Sequence, residues 1–322
     1  MNPIVQQLRS FQKNYSVQRE HLEGKYFRSG IFLDYLMTAL RLGASASDYF
    51  EYEFYRLKHK ARKEYACRKL KRKFLSCMND PTKAHIFNNK TEFLTLFSEY
   101  TKRDFVDTAI CTEEEFRAFE EKHPICIAKP QNSSCGNGIR RLESYESSFV
   151  ELKKQGTLLE ELIVQCEEMR RLNPSSLNSV RVATVYRDGR MKILGAALRC
   201  GSGGSCIDNY CNGGYAAKVD PETGTVISDG CNIANRRVSR HPDTGVYFHG
   251  FTIPHWDKVL DMLNSAVKKV DGVGYVGWDV AIREDDAVLI EGNFEGMFNL
   301  LQVPARQGIR DEVMAILREC GE

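Results

Sequence analysis

The chain has 322 residues, of which 42% are hydrophobic and 27% charged, and it carries a net charge of +2. That is enough chain to bury a core in two or three lobes, and the charge is too balanced to attract nucleic acid or acidic partners in general. No apolar run is long enough to span a bilayer and the opening MNPIVQQLRSFQKNY lacks the apolar centre of a signal peptide, so a cytoplasmic protein that binds no nucleic acid is expected.

The 11 cysteines are scattered without a C-x-x-C pair and read as reduced, mostly buried thiols. Cys200, Cys206 and Cys211 come close together, but no cluster of histidines accompanies them, which makes a zinc site the lesser reading.

Residues 1–80 form the first compositional unit, an N-terminal helical and basic extension. Phe50, Phe54, Leu57, Ala61, Tyr65, Leu70 and Phe74 recur at mostly three- and four-residue steps, which predicts one long amphipathic helix or two. Ten Lys or Arg and one acid, Glu64, fall between Arg56 and Lys73. A solvated helix face accounts for them, as does a surface that meets an anionic substrate or polymer. So does an anionic membrane surface met by residues 49–73, because Tyr49, Phe50, Tyr52, Phe54 and Tyr55 precede the basic run.

Asp80-Pro81 ends this unit. In NNKTEFLTLFSEYT the spacing of Phe93, Leu96, Phe97 and Tyr100 predicts a helix that Thr91 can cap, with Lys90 just outside, able to face an anion or simply water. The apolar strand Ile125 to Ala128 then runs into Lys129-Pro130 and the loop QNSSCGNG. A loop rich in glycine and serine lets backbone N–H groups approach phosphate oxygens, and a lysine on the preceding strand adds a point charge. The loop matches neither G-x-x-x-x-G-K-[ST] nor G-x-G-x-x-G with a helix behind it, and a plain hairpin turn is the alternative.

The stretch LLEELIVQCEE, from Leu158 to Glu168, reads as a short strand entering an irregular segment. A strand pair follows across Asp188-Gly189, Val180 to Tyr186 with Met191 to Leu198. Arg181 and Arg199 lie on it in otherwise apolar surroundings, where an arginine needs a carboxylate or a phosphate. A structural salt bridge satisfies either one equally well. Two polar, glycine-rich stretches follow, at 201–214 and 228–250, the second bearing His241 and His249 as surface or satisfied histidines. Trp256 to Val270 and Arg306 to Cys320 read as helices.

In GWDVAIREDDAVLIEGN, from Gly277 to Asn293, two alternating runs flank Glu284-Asp285-Asp286, which predicts a β-hairpin. A turn centred on Asp285 sets Arg283 opposite Ala287 and Asp279 opposite Glu291, with Asn293 two residues along the same face. Opposed carboxylates repel, so the pairing is costly unless a cation lies between them, and magnesium is the natural hard ion. On this reasoning, removing either carboxylate relieves the apo protein.

Taken together, Lys129 with SSCGNG, the EELIVQ strand, Arg181 in SSLNSVRV and the D-x11-E-x-N hairpin resemble the ATP-grasp superfamily. The wording AKPQNSSCGNG, LNPSSLNSVRVATV, NGGYAAKVD and GWDVAIREDDAVLIEGNFEG is similar to its sugar-transfer-associated branch, from roughly Pro81 onward. The resemblance implies an α+β fold with two lobes clasping ATP. Its N-terminal part, with the phosphate loop, would be residues 81–167, and its C-terminal lobe, with the metal site, residues 168–322.

It also implies roles for individual residues. Lys90 and Lys129 would face the α- and β-phosphates, and the loop from Ser133 through Ser134 and Gly136 to Gly138 would cover the β- and γ-phosphates. Glu161 and the main chain near Leu162 and Ile163 would meet adenine, while Glu168 would hold the ribose. Asp279, Glu291 and Asn293 would bind magnesium, as two ions, and Arg181 and Arg199 would stabilise charge on the transferred phosphoryl group. Cys135 stands where glycine or alanine is more usual.

The implied reaction is ATP-dependent joining of a carboxylate to an amine through an acyl phosphate. One substrate would be a small-molecule or sugar-linked acid, in surface polysaccharide or sugar-conjugate biosynthesis, at or near the inner face of the membrane. Positioning, metal and arginines carry such a step, with no serine, cysteine or histidine nucleophile. A kinase with a hydroxyl acceptor and a nucleotide-binding scaffold without turnover are the alternatives, and the acceptor pocket is expected near Tyr210, Asn212 and His249.

Overall fold

The structure, a computed structural model, describes residues 3–22, 28–131, 138–143, 148–204, 208, 210, 213–296 and 298–321. The expected loop residues Ser133, Ser134, Cys135 and Gly136, and also Asn212, Cys206 and Cys211, lie outside them.

Two antiparallel sheets carry the fold. The first contains β1 (Phe105–Asp107), β2 (Ile125–Pro130), β3 (Arg140–Glu143) and β4 (Thr157–Glu161) in the order β1-β4-β2-β3. Helices Glu113–Lys122 and Phe149–Gln155 supply Phe116, Phe119 and Leu152 to a small core with Val106, Cys126, Leu142 and Leu159. Both helices start on a capping box, Thr112 with Glu115 and Ser148 with Glu151, which satisfies N–H groups their first turns cannot pair internally.

The second sheet has seven strands. These are β5 (Ser179–Arg187), β6 (Arg190–Cys200), β7 (Tyr215–Val219), β8 (Gly230–Cys231), β9 (Arg237–Val238), β10 (Tyr275–Ile282) and β11 (Ala287–Asn293), ordered β11-β10-β5-β6-β7-β8-β9. The expected β5–β6 hairpin turns on Asp188 (φ 50°) and Gly189 (φ 75°), the two positive φ values that a tight hairpin turn needs.

Strand alternation divides this sheet into two faces. Val180, Val182, Leu198, Val276, Trp278 and Val280 point into the main core with Phe87, Phe93, Phe97 and helix Trp256–Ala266. On the other face Ala183, Val185 and Tyr275 pack under helices Arg68–Met78 and Arg310–Glu319. Further along that same face the apolar side chains give way to Arg181, Asp279 and Arg199. The functional candidates therefore lie where one end of a core-covered sheet face turns polar.

The one long helix or two expected over 50–74 are instead divided into helix Ala46–Glu51, the 3-10 turn Phe54–Arg56 and helices His59–Arg62 and Arg68–Met78. No glycine or proline marks the break, and tertiary contacts make it. Glu53 sits at φ 52° with its carboxylate on Arg306 at 2.7 Å, and Gln302 Oε1 accepts from the Ala66 N–H at 2.9 Å. Tyr49, Phe50, Tyr52, Phe54 and Tyr55 are all buried, in a cluster that includes Cys231 and Val303 from far along the chain. The aromatic half of the expected membrane contact is thus core, and the exposed part of 49–73 is basic apart from Glu64 and His59. No helix among the described residues is long and apolar enough to cross a membrane.

A smaller correction concerns the helix after Asp80. Its cap is Asn89, whose side chain accepts from the N–H groups of Thr91 and Glu92, and Lys90 is the first helical residue.

Candidate active site

The β10–β11 hairpin sets Asp279 opposite Glu291, as the spacing predicts, but by a different register. Near the turn Ile282 faces Ala287 and Val280 faces Leu289, one residue tighter than expected. A β-bulge between Val280 and Asp279 then takes up the extra residue, Ile290, and restores Asp279 to Glu291. The bulge carbonyls are served by Arg103, which donates Nη1 to Leu289 O at 2.6 Å and Nη2 to Ile290 O at 2.8 Å.

Asp279 is buried, and its charge is met by protein. Arg181, its Cα partner on β5, donates Nε to Oδ1 and Nη2 to Oδ2, the latter at 2.9 Å, while Arg199 donates Nη1 to Oδ2 at 2.8 Å. Burial works to raise the Asp279 carboxyl, but Arg181 and then Arg199 outweigh it and hold it well below the usual carboxylate range. Glu291 is less well met, since Arg181 and Lys129 lower its carboxyl only in part. Solvent reaches its side chain, yet the crowded cleft wall and then the charge on Asp279 push its carboxyl up. Asn293 donates Nδ2 to Glu291 Oε1 at 3.3 Å.

The arginines thus supply the positive charge that sequence reasoning assigned to a metal. The donor set nonetheless fits a divalent cation: two opposed carboxylates and an amide are hard oxygen ligands, and Glu291 is under-compensated. A cation held there would share Asp279 with the guanidinium groups of Arg181 and Arg199.

Lys129, at the end of β2, lies 2.8 Å from Glu160 Oε1, and Arg103 Nε lies 2.6 Å from Glu160 Oε2. Burial opposes ionisation of Glu160, but Arg103 and Lys129 bring its carboxyl down to about 2. Lys90 donates to the carbonyls of Pro130 at 3.3 Å and Gln131 at 3.0 Å; burial lowers its ammonium, Glu291 opposes that shift and Lys129 adds to it. Lys90, Lys129 and Glu291 therefore sit in one electrostatic neighbourhood between the sheets. Gly138, at φ 76°, closes the hairpin after β2, and a Cβ there would come 2.9 Å from Pro130 Cγ.

A cavity of about 110 Å³ opens between the sheets, lined by Lys102, Arg103, Glu161, Leu162, Ile163 and Val288 among others. The three residues expected at adenine line it together. The Glu161 carboxylate is engaged, accepting the Asp104 N–H at 3.0 Å. Asp104, His123 and Glu161 could offer ligand atoms within 4.8 Å of one another, but Lys122 at 2.5 Å and His123 at 2.8 Å already serve Asp104. Glu168 is exposed in the first turn of helix Glu167–Leu172, beside the Cys166 thiol. His241 is buried with Nε2 2.7 Å from Gly201 O, a satisfied histidine, and His249 is exposed.

Reasoning from sequence missed Glu160, Arg103 and Asp208. Asp208 accepts from Arg199 Nη2 at 2.8 Å and from the Ser179 hydroxyl. Glu160 carried a readable signal, because neighbours on a strand face opposite ways: if Glu161 looks into the cleft, Glu160 must enter the interior and requires a cation.

The family described as sugar-transfer-associated ATP-grasp matches residues 144–318, more than half of the chain, and the chain belongs to that family. No curated protein matches it. Among solved structures it is similar to the ATP-grasp ligase PsnB complexed with a minimal precursor, Mg and ADP, at 17% identity and a TM-score of 0.48, over 76% of this chain and 62% of that one. It is also similar to the D-alanine–D-alanine ligase of Bacillus anthracis, at 10% identity and TM-score 0.44, over 76% and 69% of the two chains. A third is the L-amino acid ligase of Bacillus licheniformis, at 12% and 0.40, over 65% and 40%. The chain spans less than two thirds of the PsnB chain.

Proposed function

We propose that this member of the sugar-transfer-associated ATP-grasp family is an ATP-dependent carboxylate–amine ligase that works through an acyl phosphate. The observation that carries the reading is the convergence on Asp279 of Glu291 from one side and of Arg181 and Arg199 from the other. Two carboxylates and two fork-shaped cations on one sheet face suit phosphoryl transfer, which asks the protein for position and charge rather than for a nucleophile. Bound magnesium, as two ions, would neutralise phosphate charge, held by Asp279, Glu291 and Asn293.

The remaining roles follow the same reading. Lys129 and Lys90 orient the phosphates, with the loop from Ser133 through Ser134 and Gly136 to Gly138 over them. Glu161, Leu162 and Ile163 border the adenine, and Glu168 serves the ribose. Arg199 and Arg181 stabilise the oxygens of the transferred group. Residues 81–167 and 168–322 act as the two ATP-binding parts, and 1–80 as an extension whose exposed basic side chains, among them Lys58, Lys60, Lys63 and Arg72, offer a contact for an anionic surface. The acid is a small-molecule or sugar-linked carboxylate of surface-polysaccharide or sugar-conjugate synthesis, handled in the cytoplasm near the membrane.

The test is isotopic. The protein is incubated with ATP, magnesium, an amine and a panel of acids labelled with oxygen-18 in the carboxyl group. A ligase moves label into inorganic phosphate and releases ADP and an amide. A stable phosphorylated product that forms without any amine overturns the ligase reading in favour of a kinase.

A further inference from the structure

Asp208 is a buried charge beside the cation site that the reading above leaves without a task. It is 8% exposed, and both its oxygens are used: Oδ1 accepts from Arg199 Nη2 at 2.8 Å, and Oδ2 accepts from the Ser179 hydroxyl. Ser179 is itself the Cα partner of Arg199 across β5 and β6, so the hydroxyl fixes the carboxylate over the arginine's own ladder position. Arg199 spends its other terminal nitrogen, Nη1, on Asp279 Oδ2 at 2.8 Å. One guanidinium is thus divided between a carboxylate of the cation site and a carboxylate outside it.

The division matters because Asp279 has few oxygen lone pairs left. Arg181 takes two and Arg199 a third of the roughly four sites on a carboxylate. Freed from Asp208, Arg199 would turn its planar fork onto Asp279, since a two-point pair is stronger than a one-point pair. The carboxylate would then be closed by arginine donors and adjoined by a second undivided positive charge.

We propose that Asp208 is a positioning residue for the cation site. By holding Arg199 at Nη2 it limits the arginine to a single donor, Nη1, on Asp279, so the carboxylate keeps room to serve a divalent cation. The proposal rests on the metal-assisted phosphoryl-transfer reading of the hairpin.

The probe is Mn2+, titrated in the presence of ADP and followed by electron paramagnetic resonance, with no turnover required. Wild type, Asp208→Asn, Arg199→Gln and the double variant are compared. Asp208→Asn should weaken Mn2+ binding by about tenfold or more, the range in which outer partners of metal ligands act. Adding Arg199→Gln should restore it, because the competing arginine is gone. Unchanged binding in Asp208→Asn overturns the proposal, as does a loss that Arg199→Gln does not repair, which would mark Asp208 as merely structural. If Asp208→Asn does not fold, Arg199→Gln alone decides: it should bind Mn2+ at least as tightly as wild type, and weaker binding overturns the proposal. Wild type that binds no Mn2+ brings down the metal reading itself, an outcome distinct from the others.

Discussion

Arg103 and Glu160 form a buried ion pair, Nε to Oε2 at 2.6 Å, whose guanidinium also holds the two carbonyls at the β11 bulge. The bulge fixes which residue faces Asp279, so the register of the second sheet depends on a carboxylate of the first. Glu160 carries Lys129 as well. One buried anion thus aligns the lysine at the end of β2 and the acidic face of the hairpin.

The first prediction follows from that anion. Glu160→Gln leaves Arg103 and Lys129 partly unpaired in the interior, and breaking such a pair costs roughly 3–5 kcal/mol. The Glu160 carboxyl is lowered from its ordinary 4.5 to about 2 in the folded protein, so its contribution is present above the unfolded value and is lost as pH falls through the folded one. Urea unfolding at a series of pH values should therefore show a steeper decline between about 4.5 and 2 for wild type than for Glu160→Gln. Parallel curves would contradict the assignment.

The second separates the two metal-site carboxylates. Simple repulsion suggests that losing either relieves the apo protein, but the structure divides them. Asp279 neutralises two arginines, so Asp279→Ala strands buried positive charge and should destabilise by roughly 3–5 kcal/mol. Glu291 has its carboxyl raised by the desolvating cleft wall and by Asp279, so its ionised form costs stability once pH passes the ordinary 4.5. Glu291→Gln should leave apo stability equal or higher at neutral pH. Both variants should lose magnesium-dependent turnover, and a Glu291→Gln protein that melts well below wild type would contradict this account.

That asymmetry marks how far the sequence can be read. Alternation and the polar break disclose the hairpin, and Asp188-Gly189 discloses its neighbour. The Asp279–Glu291 pairing is recovered by symmetric counting only because the bulge compensates a tighter turn. Arg181 and Arg199 stand out as arginines in apolar strands, but their partner is 98 and 80 residues away, which no local pattern encodes. The number of breaks in the helical stretch is hidden for the same reason: between Phe50 and Phe74 no glycine or proline marks them, and the contacts at Glu53 and Ala66 come from Arg306 and Gln302.

The contact between chain ends yields a third prediction. A Cβ on Gly308 would stand 1.9 Å from Glu64 O and 2.2 Å from Glu64 C, backbone atoms that no rotamer change can move. Gly308→Ala should therefore force the segment between helices His59–Arg62 and Arg68–Met78 away from Arg310, whose N–H now donates to Glu64 O at 3.0 Å. A loss of about 1–3 kcal/mol, typical of overpacking, is expected in thermal unfolding, and an unchanged melting temperature would exclude this packing.

A fourth concerns Lys129. Its ammonium already has Glu160, so a phosphate contact is an addition to an existing pair rather than relief of a free charge. Lys129→Met keeps the stem and removes the charge. It should weaken MgATP binding by about 1.5–3 kcal/mol, the usual worth of a hydrogen bond to a charged group, and adenosine binding hardly at all. Equal losses for both ligands in calorimetry would make the lysine structural.

The last concerns Arg199, which meets Asp208 with one nitrogen and Asp279 with the other, both at 2.8 Å. A lysine can supply the charge but not two fixed directions, so Arg199→Lys must abandon one carboxylate or stand between them. If the arginine follows charge developing on the transferred phosphoryl group, the loss appears in the transition state. Turnover should then fall by about 100-fold, the scale of losing one aimed donor, while nucleotide affinity stays within about threefold. Arg181→Lys should behave otherwise. Arg181 is 4% exposed and binds Asp279 through two nitrogens, so its replacement should lower stability together with turnover. Measuring kcat, MgADP affinity and unfolding on both variants separates the roles, and an Arg199→Lys enzyme whose affinity falls as much as its turnover would assign Arg199 to ground-state binding instead.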